Sequence, residues 1–330
     1  MKQRLEYIDI AKGLGIILVV LSHTEHPELM YYSSTFFVPI FFFCSGYTSY
    51  KKDISLNSCF HRQTIKLLKP YIFFSLILLL FFHNFSLRAI VGIFYSRYCL
   101  YPFGTEPDIC RLMIIGNYPM WFLTCMIVAY LLYDILLYYP KYQYYLAILY
   151  FLITVGANFL PILLPWSLET APLMAVIMFF GTQLRKNIPD ILINKRPHFL
   201  IILSAIIYFL LLPLCHDINI SVRMFGPSIF LYLLTAITGC ILLSYLSRLI
   251  QGSFIGKILK QIGIHSLSIF CIEIPFIIIG KEIACFFLKQ YPQILLSEVT
   301  ALIQLLIALI GGFIFSFIIQ SNKYTKKIVS

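Results

Sequence analysis

The 330-residue sequence predicts an all-α polytopic transmembrane bundle of about ten spans, with both termini cytoplasmic. Three observations predict it. The composition is 60% hydrophobic and only 12% charged, against about 45–50% and 25% in soluble domains. Apolar segments of near-spanning length recur along the whole chain. The basic residues concentrate in alternate connecting segments, which is the asymmetry that orients membrane proteins. This composition excludes a disordered chain, a coiled coil, a small disulfide scaffold and most soluble enzymes. A sequence pI of about 9.1 does not indicate nucleic-acid binding here, because the cations follow the loops rather than one surface. The lipid bilayer is the expected partner.

In chain order the expected spans are Ile8–Ser22, Phe36–Tyr50, Leu67–Phe82, Met120–Tyr139, Tyr144–Leu160, Ala171–Leu184, Phe199–Leu214, Ile229–Ser247, Ile264–Gly280 and Ile294–Gln320. Segment Ala89–Tyr95 is too short to cross and reads as interfacial or re-entrant. With Lys2 and Arg4 inside, the inner segments also hold Lys51, Lys52, Arg62, Lys66, Lys141, Arg185, Lys195, Arg248, Lys257 and Lys260, among others. The outer loops keep only Arg88, Arg97, Arg111, Arg223, Lys281 and Lys289. The first apolar segment has a basic start like a signal peptide, but no small-x-small cleavage pattern follows it, so it reads as a retained helix. No linker or soluble domain is apparent, and 1–330 reads as one membrane domain. The nine cysteines form no Cys-x-x-Cys pair, and no metal-ligand spacing occurs.

Ionisable groups inside spans are costly and therefore functional candidates. Lys12 and His23 lie eleven residues apart on the first helix. At about 100° per residue they share a face, about 16 Å apart along the axis, with Ile16 and Val19 between them. Lys12 reads either as a snorkelling residue or as a cation for an anionic head group. His23 reads either as an interfacial histidine or as a catalytic base. Glu25 either orients that imidazole or is a solvated loop carboxylate. Glu273 sits about 14 Å into its span, where a carboxylate must pair, protonate or face water. Its two readings are a buried pair with a cation from another helix and a proton-handling group. Glu169 stands just before the sixth span. His265 reads as interfacial.

These residues sit in phrases that resemble the acyltransferase 3 family of integral membrane acyltransferases, in particular its fucose 4-O-acetylase-like branch. The opening Arg4-Leu5-Glu6-Tyr7-Ile8-Asp9-Ile10-Ala11-Lys12 … Ser22-His23 matches the family's basic residue, ten intervening residues and histidine. Pro39-Ile40-Phe41-Phe42-Phe43-Cys44-Ser45-Gly46-Tyr47, Met120-Trp121-Phe122-Leu123, Leu164-Pro165-Trp166 and Gly263-Ile264-His265-Ser266-Leu267 resemble later family phrases in the same order. One position departs. Many relatives have histidine where this chain has Glu273 before Ile274-Pro275, so Glu273 either replaces it as proton acceptor or is structural.

The resemblance implies a bacterial inner-membrane O-acyltransferase, most simply an O-acetyltransferase. It would move an acyl group from acyl-CoA, as donor substrate rather than bound cofactor, to a hydroxyl of an envelope polysaccharide or lipid-linked sugar. On this reading His23 is the base, assisted by Glu273 or Glu25. Lys12, Ser45, Tyr47, Arg62 and Lys66 hold the donor, whose arm enters beside Gly13, Gly15, Ser45 and Gly46. Trp121, Glu169 and Arg223 bind the acceptor. His23 acting as an acyl carrier is the alternative route. The rival class is a flippase or transporter of a lipid-linked sugar or small solute, for which buried charge among many helices is equally apt.

Overall fold

The computed structural model describes residues 5–24, 31–49, 56–97, 100, 118–188, 198–288, 293–322, 325 and 327, with the side chains of 56–63, 118, 288 and 293–296 outside that description. The helices, in order, are α1 (Glu6–Ser22), α2 (Pro39–Ser49), α3 (Leu56–Phe81), α4 (Leu87–Tyr95), α5 (Trp121–Tyr138), α6 (Gln143–Ala157), α7 (Ala171–Asn187), α8 (Phe199–Leu211), α9 (Ile229–Leu249), α10 (Phe254–Ile264), α11 (Ser266–Leu288) and α12 (Gln293–Ser321). The protein is an all-α polytopic membrane protein. A two-residue antiparallel pairing, β1 (Ile218–Asn219) with β2 (Met224–Phe225), closes the loop before α9.

Every expected apolar segment is a helix, and the short α4 covers the segment judged too short to cross. By length and composition, five of the described helices pass as spans alone, and a sixth if α10 and α11 count as one broken span. Two boundaries differ from the expectation. α3 starts at Leu56, because an apolar stretch propagates back through a polar lead-in without a breaker. The expected inner loop before Glu273 instead holds α10, bent 82° from α11. Ser253 starts α10 by accepting a hydrogen bond from the Gly256 amide at 3.0 Å, a standard N-cap.

The chain divides into two compact units. The first comprises Met1–Phe41, Asp190–Leu212 and Thr238–Val329; the second is essentially Phe42–Pro189 and Pro213–Ile237. In the first unit α1 packs against α10, α11 and α12. In the second, α5 packs against α3, α6 and α7.

A glycine pair allows a close helix approach in each unit. A side chain at Gly263 would collide with the Asp9 carbonyl, and one at Gly13 with the Leu259 carbonyl, so α1 and α10 touch backbone to backbone. In the second unit Gly46 meets Met178 and Gly181 meets Phe43 in the same way. Lipid supplies no hydrophobic drive between helices, so such close van der Waals contact carries the association. Gly263→Val should therefore force α10 off α1. The expected result is destabilisation of about 1–3 kcal/mol or more, read as a lowered unfolding temperature of the detergent-solubilised protein.

Candidate active site

α1 is buried on nearly all sides, including Tyr7, Ile10, Ala11, Ile16, Val19 and Val20. That is the expected behaviour of a helix that is apolar all round. Its first turn carries Glu6 and Asp9, which suit the positive end of the helix dipole. Glu6 is tied to α10 by Lys260 at 2.6 Å and to Gln251 at 3.0 Å. At its other end α1 stops at Ser22. The Ser22 hydroxyl donates to the Val19 carbonyl and the Thr24 hydroxyl to the Leu21 carbonyl. These bonds fix the backbone on both sides of His23.

His23 is the first residue beyond α1, and its ring meets a partner 250 positions away in the chain. Nδ1 lies 2.8 Å from Oε1 of Glu273. The imidazole is 16% exposed and the Glu273 side chain wholly buried. Glu273 thus pairs with a histidine, not with the lysine or arginine that a purely structural reading anticipates. With Glu273 ionised, its carboxylate can only accept, so Nδ1 would carry the proton of this contact and Nε2 would be the basic nitrogen. Pro275, inside α11, removes the amide that would bond the Cys271 carbonyl and loosens the helix beside Glu273.

Lys12 lies on the same helix, half-buried, with the buried Ile16 and Val19 between it and His23. Glu25 falls outside the described residues. So does the side chain of Arg62, while Lys66 is exposed. Gly13 and Gly46 face the backbone of Leu259 and Met178, and Gly15 faces the side chains of Ile40 and Phe41. Tyr47 is buried too. Its hydroxyl accepts from Arg185 at 3.1 Å, and the guanidinium stands 5.1 Å from its ring centre. Ser45 hydrogen-bonds Tyr130.

Three residues expected at the acceptor lie in the second unit. Trp121 opens α5 and is 7% exposed. Glu169 is buried in an ion pair with Arg97. Arg223 is also buried and donates to the carbonyls of Leu160 at 2.6 Å and Ile162 at 3.1 Å, which braces that loop. His265 sits at the corner between α10 and α11, with Nδ1 2.8 Å from the Ser316 hydroxyl. The sequence reading missed Arg97 and Asp134, both buried. A cation was owed to Glu169 once that acid was placed near the membrane, but four outer-loop arginines competed for the role. Asp134 stands in α5 beside Tyr133, whose hydroxyl meets Thr182 at 2.6 Å.

A family model described as an acyltransferase domain, that of acyltransferase 3, matches residues 5–321. The chain belongs to the acyltransferase 3 family. This places a transferase activity on a multi-pass membrane protein and gives the His23–Glu273 pair its context. No curated protein and no solved structure matches the chain significantly. For an acyltransferase 3 protein with this pair, Glu273→Gln removes the carboxylate that holds the imidazole tautomer. The expected loss is about 10²–10⁴-fold in turnover, with little change in substrate KM, measured on purified protein.

Proposed function

We propose that the protein is a membrane-embedded O-acyltransferase. In this reading it moves an acyl group, most simply acetyl, from acyl-CoA to a hydroxyl of an envelope glycan or lipid-linked sugar at the bacterial inner membrane. The observation that carries the reading is the His23–Glu273 hydrogen bond, a base at the C-cap of α1 and an orienting acid on α11. Nε2 of His23 takes the proton from the acceptor hydroxyl as its oxygen bonds to the thioester carbonyl carbon. Glu273 stabilises the imidazolium that forms, across the same 2.8 Å contact. When the tetrahedral adduct collapses, the carbon–sulfur bond breaks and the thiolate takes that proton from Nε2. The acceptor leaves as ester and the donor as free thiol. Lys12, half-buried on the same helix, serves the donor's phosphates as a point charge.

The test is purified protein in detergent, without any gradient, given radiolabelled acetyl-CoA and a chloroform–methanol extract of envelope glycolipids. Label appearing in glycolipid supports the reading. Movement of unmodified glycolipid between leaflets of a vesicle, with no label transferred, would establish the transporter reading in its place.

A further inference from the structure

The surface of α10, in the first unit, divides into three sectors. At about 100° per residue, Gly256, Leu259 and Gly263 share an arc of about 60°, and all three are buried. This is the side set against α1, where Gly263 meets the Asp9 carbonyl and Gly13 the Leu259 carbonyl. Phe254, Ile255, Ile258 and Ile262 share a second arc of about 100°. There Phe254 is 78% exposed, Ile255 63% and Ile258 46%. Lys257, Lys260 and Gln261 fill the third arc, with Lys257 and Gln261 exposed.

An open apolar side beside an open basic side is satisfied at one depth, the boundary between hydrocarbon and water. Deeper, Lys257 and Gln261 would enter hydrocarbon; further out, Phe254 and Ile255 would enter water. The chain path agrees with that depth. α10 is set at 82° to α11, so with α11 crossing the bilayer α10 runs along its surface. At its start Gly252 adopts φ 86°, a left-handed conformation that turns the chain out of α9. The charge around α10 is mostly positive. Arg248 ends α9, and α10 brings Lys257 and Lys260. Facing them, α1 supplies Glu6, bonded to Lys260 at 2.6 Å, and the buried Asp9.

The geometry points to α10 as a surface-lying helix that docks on a leaflet of anionic phospholipid, its apolar side among the upper acyl chains and Lys257 among the phosphates. Charge selects the lipid class. A zwitterionic headgroup offers a lysine no net attraction, whereas one cation close to an anionic surface is worth an enrichment of about 5-fold. The opposite side of the same helix carries the Gly13–Gly263 crossing, so the leaflet steadies that crossing from outside. The inference stands apart from the acyl-transfer chemistry.

The test places a tryptophan on the open apolar side. Full-length Phe254→Trp and Ile262→Trp proteins are reconstituted in vesicles of phosphatidylcholine and phosphatidylglycerol, some of it brominated on the acyl chains. Quenching of the added tryptophan is read as the difference from wild type, which accounts for Trp121 and Trp166. Bromine near the glycerol should quench more than bromine near the chain end, and equally at both positions. Bromine carried by phosphatidylglycerol should quench Phe254→Trp as if about 5-fold more concentrated than the same mole fraction carried by phosphatidylcholine. Adding Lys257→Gln should remove most of that enrichment, and so should molar salt. Equal quenching by the two lipids, or enrichment unchanged by Lys257→Gln, overturns the anionic docking. Different depths at 254 and 262 make α10 half of a broken span, and no quenching at all shows its apolar side covered by protein; either result overturns the proposal. Phe254→Trp alone carries the comparison of lipid classes, so it stands even where Ile262→Trp fails to fold.

Discussion

Replacing His23 by Asn should lower acyl transfer about 10²–10⁴-fold, the usual worth of a positioned acid–base group. Asn is the informative choice. Its amide N–H can stand roughly where Nδ1 stands and keep Glu273 hydrogen-bonded, but it offers nothing in place of Nε2. The unfolding temperature should therefore change little while turnover collapses. His23→Ala should lose the same activity and some stability as well, because it takes from the wholly buried Glu273 its imidazole partner. Measuring both quantities on both variants separates a catalytic ring from a structural one. If His23→Asn transfers acetyl at the wild-type rate, the base lies elsewhere and the proposed mechanism is wrong. If an acylated protein can be trapped in wild type and not in His23→Asn, the ring carries the acyl group itself rather than only a proton.

Arg97→Met should be the most damaging single change to stability. It leaves the Glu169 carboxylate buried without its cation, a situation that costs about 3–5 kcal/mol, and it removes the donors to the Leu164 and Ser221 carbonyls. The expected result is a protein that accumulates poorly and unfolds at markedly lower temperature in detergent. Adding Glu169→Gln to Arg97→Met should recover part of the loss, because a neutral amide is far cheaper to bury than an unpaired charge. Thermal unfolding of the single and double variants measures the coupling between the two residues. Simple additivity would show that the pair is not coupled and that the loop carbonyls account for the whole effect.

The helical spans were legible because an apolar run of spanning length leaves few alternatives once backbone polar groups must be satisfied in lipid. α10 was not legible. Its apolar residues Phe254, Ile255 and Ile258 alternate with Gly256, Lys257, Lys260 and Gly263, a pattern that reads as a loop until α1 is placed against it. At the site, helical spacing put Lys12 and His23 on one helix face, and depth singled out Glu273 as needing a partner. That the partner is His23 could not be read, because the two are joined only by the folding of α11 beside α1. Glu169 was picked out for the same reason as Glu273. Its cation stayed hidden because nothing local in sequence distinguishes Arg97 from Arg88, Arg111 or Arg223. At Gly13 and Gly46, small residues that read as room for a ligand arm face a neighbouring backbone, a contact that no local signal announces.

The contact between α1 and α10 has a consequence for how the His23–Glu273 pair is aligned. Gly13 and Gly263 meet there. His23 lies ten positions after the one, Glu273 ten positions after the other. The chain thus measures off two equal arms from a common pivot, and the proton-handling groups come level at their tips. One residue inserted or deleted in either arm shifts its tip by about 1.5 Å and swings it by about 100°, far beyond what a hydrogen bond tolerates. Lengthening the chain ahead of Gly13 moves neither tip. Gap tolerance along α1 should therefore end abruptly at the pivot, in a stretch whose hydropathy alone gives no hint of such a border.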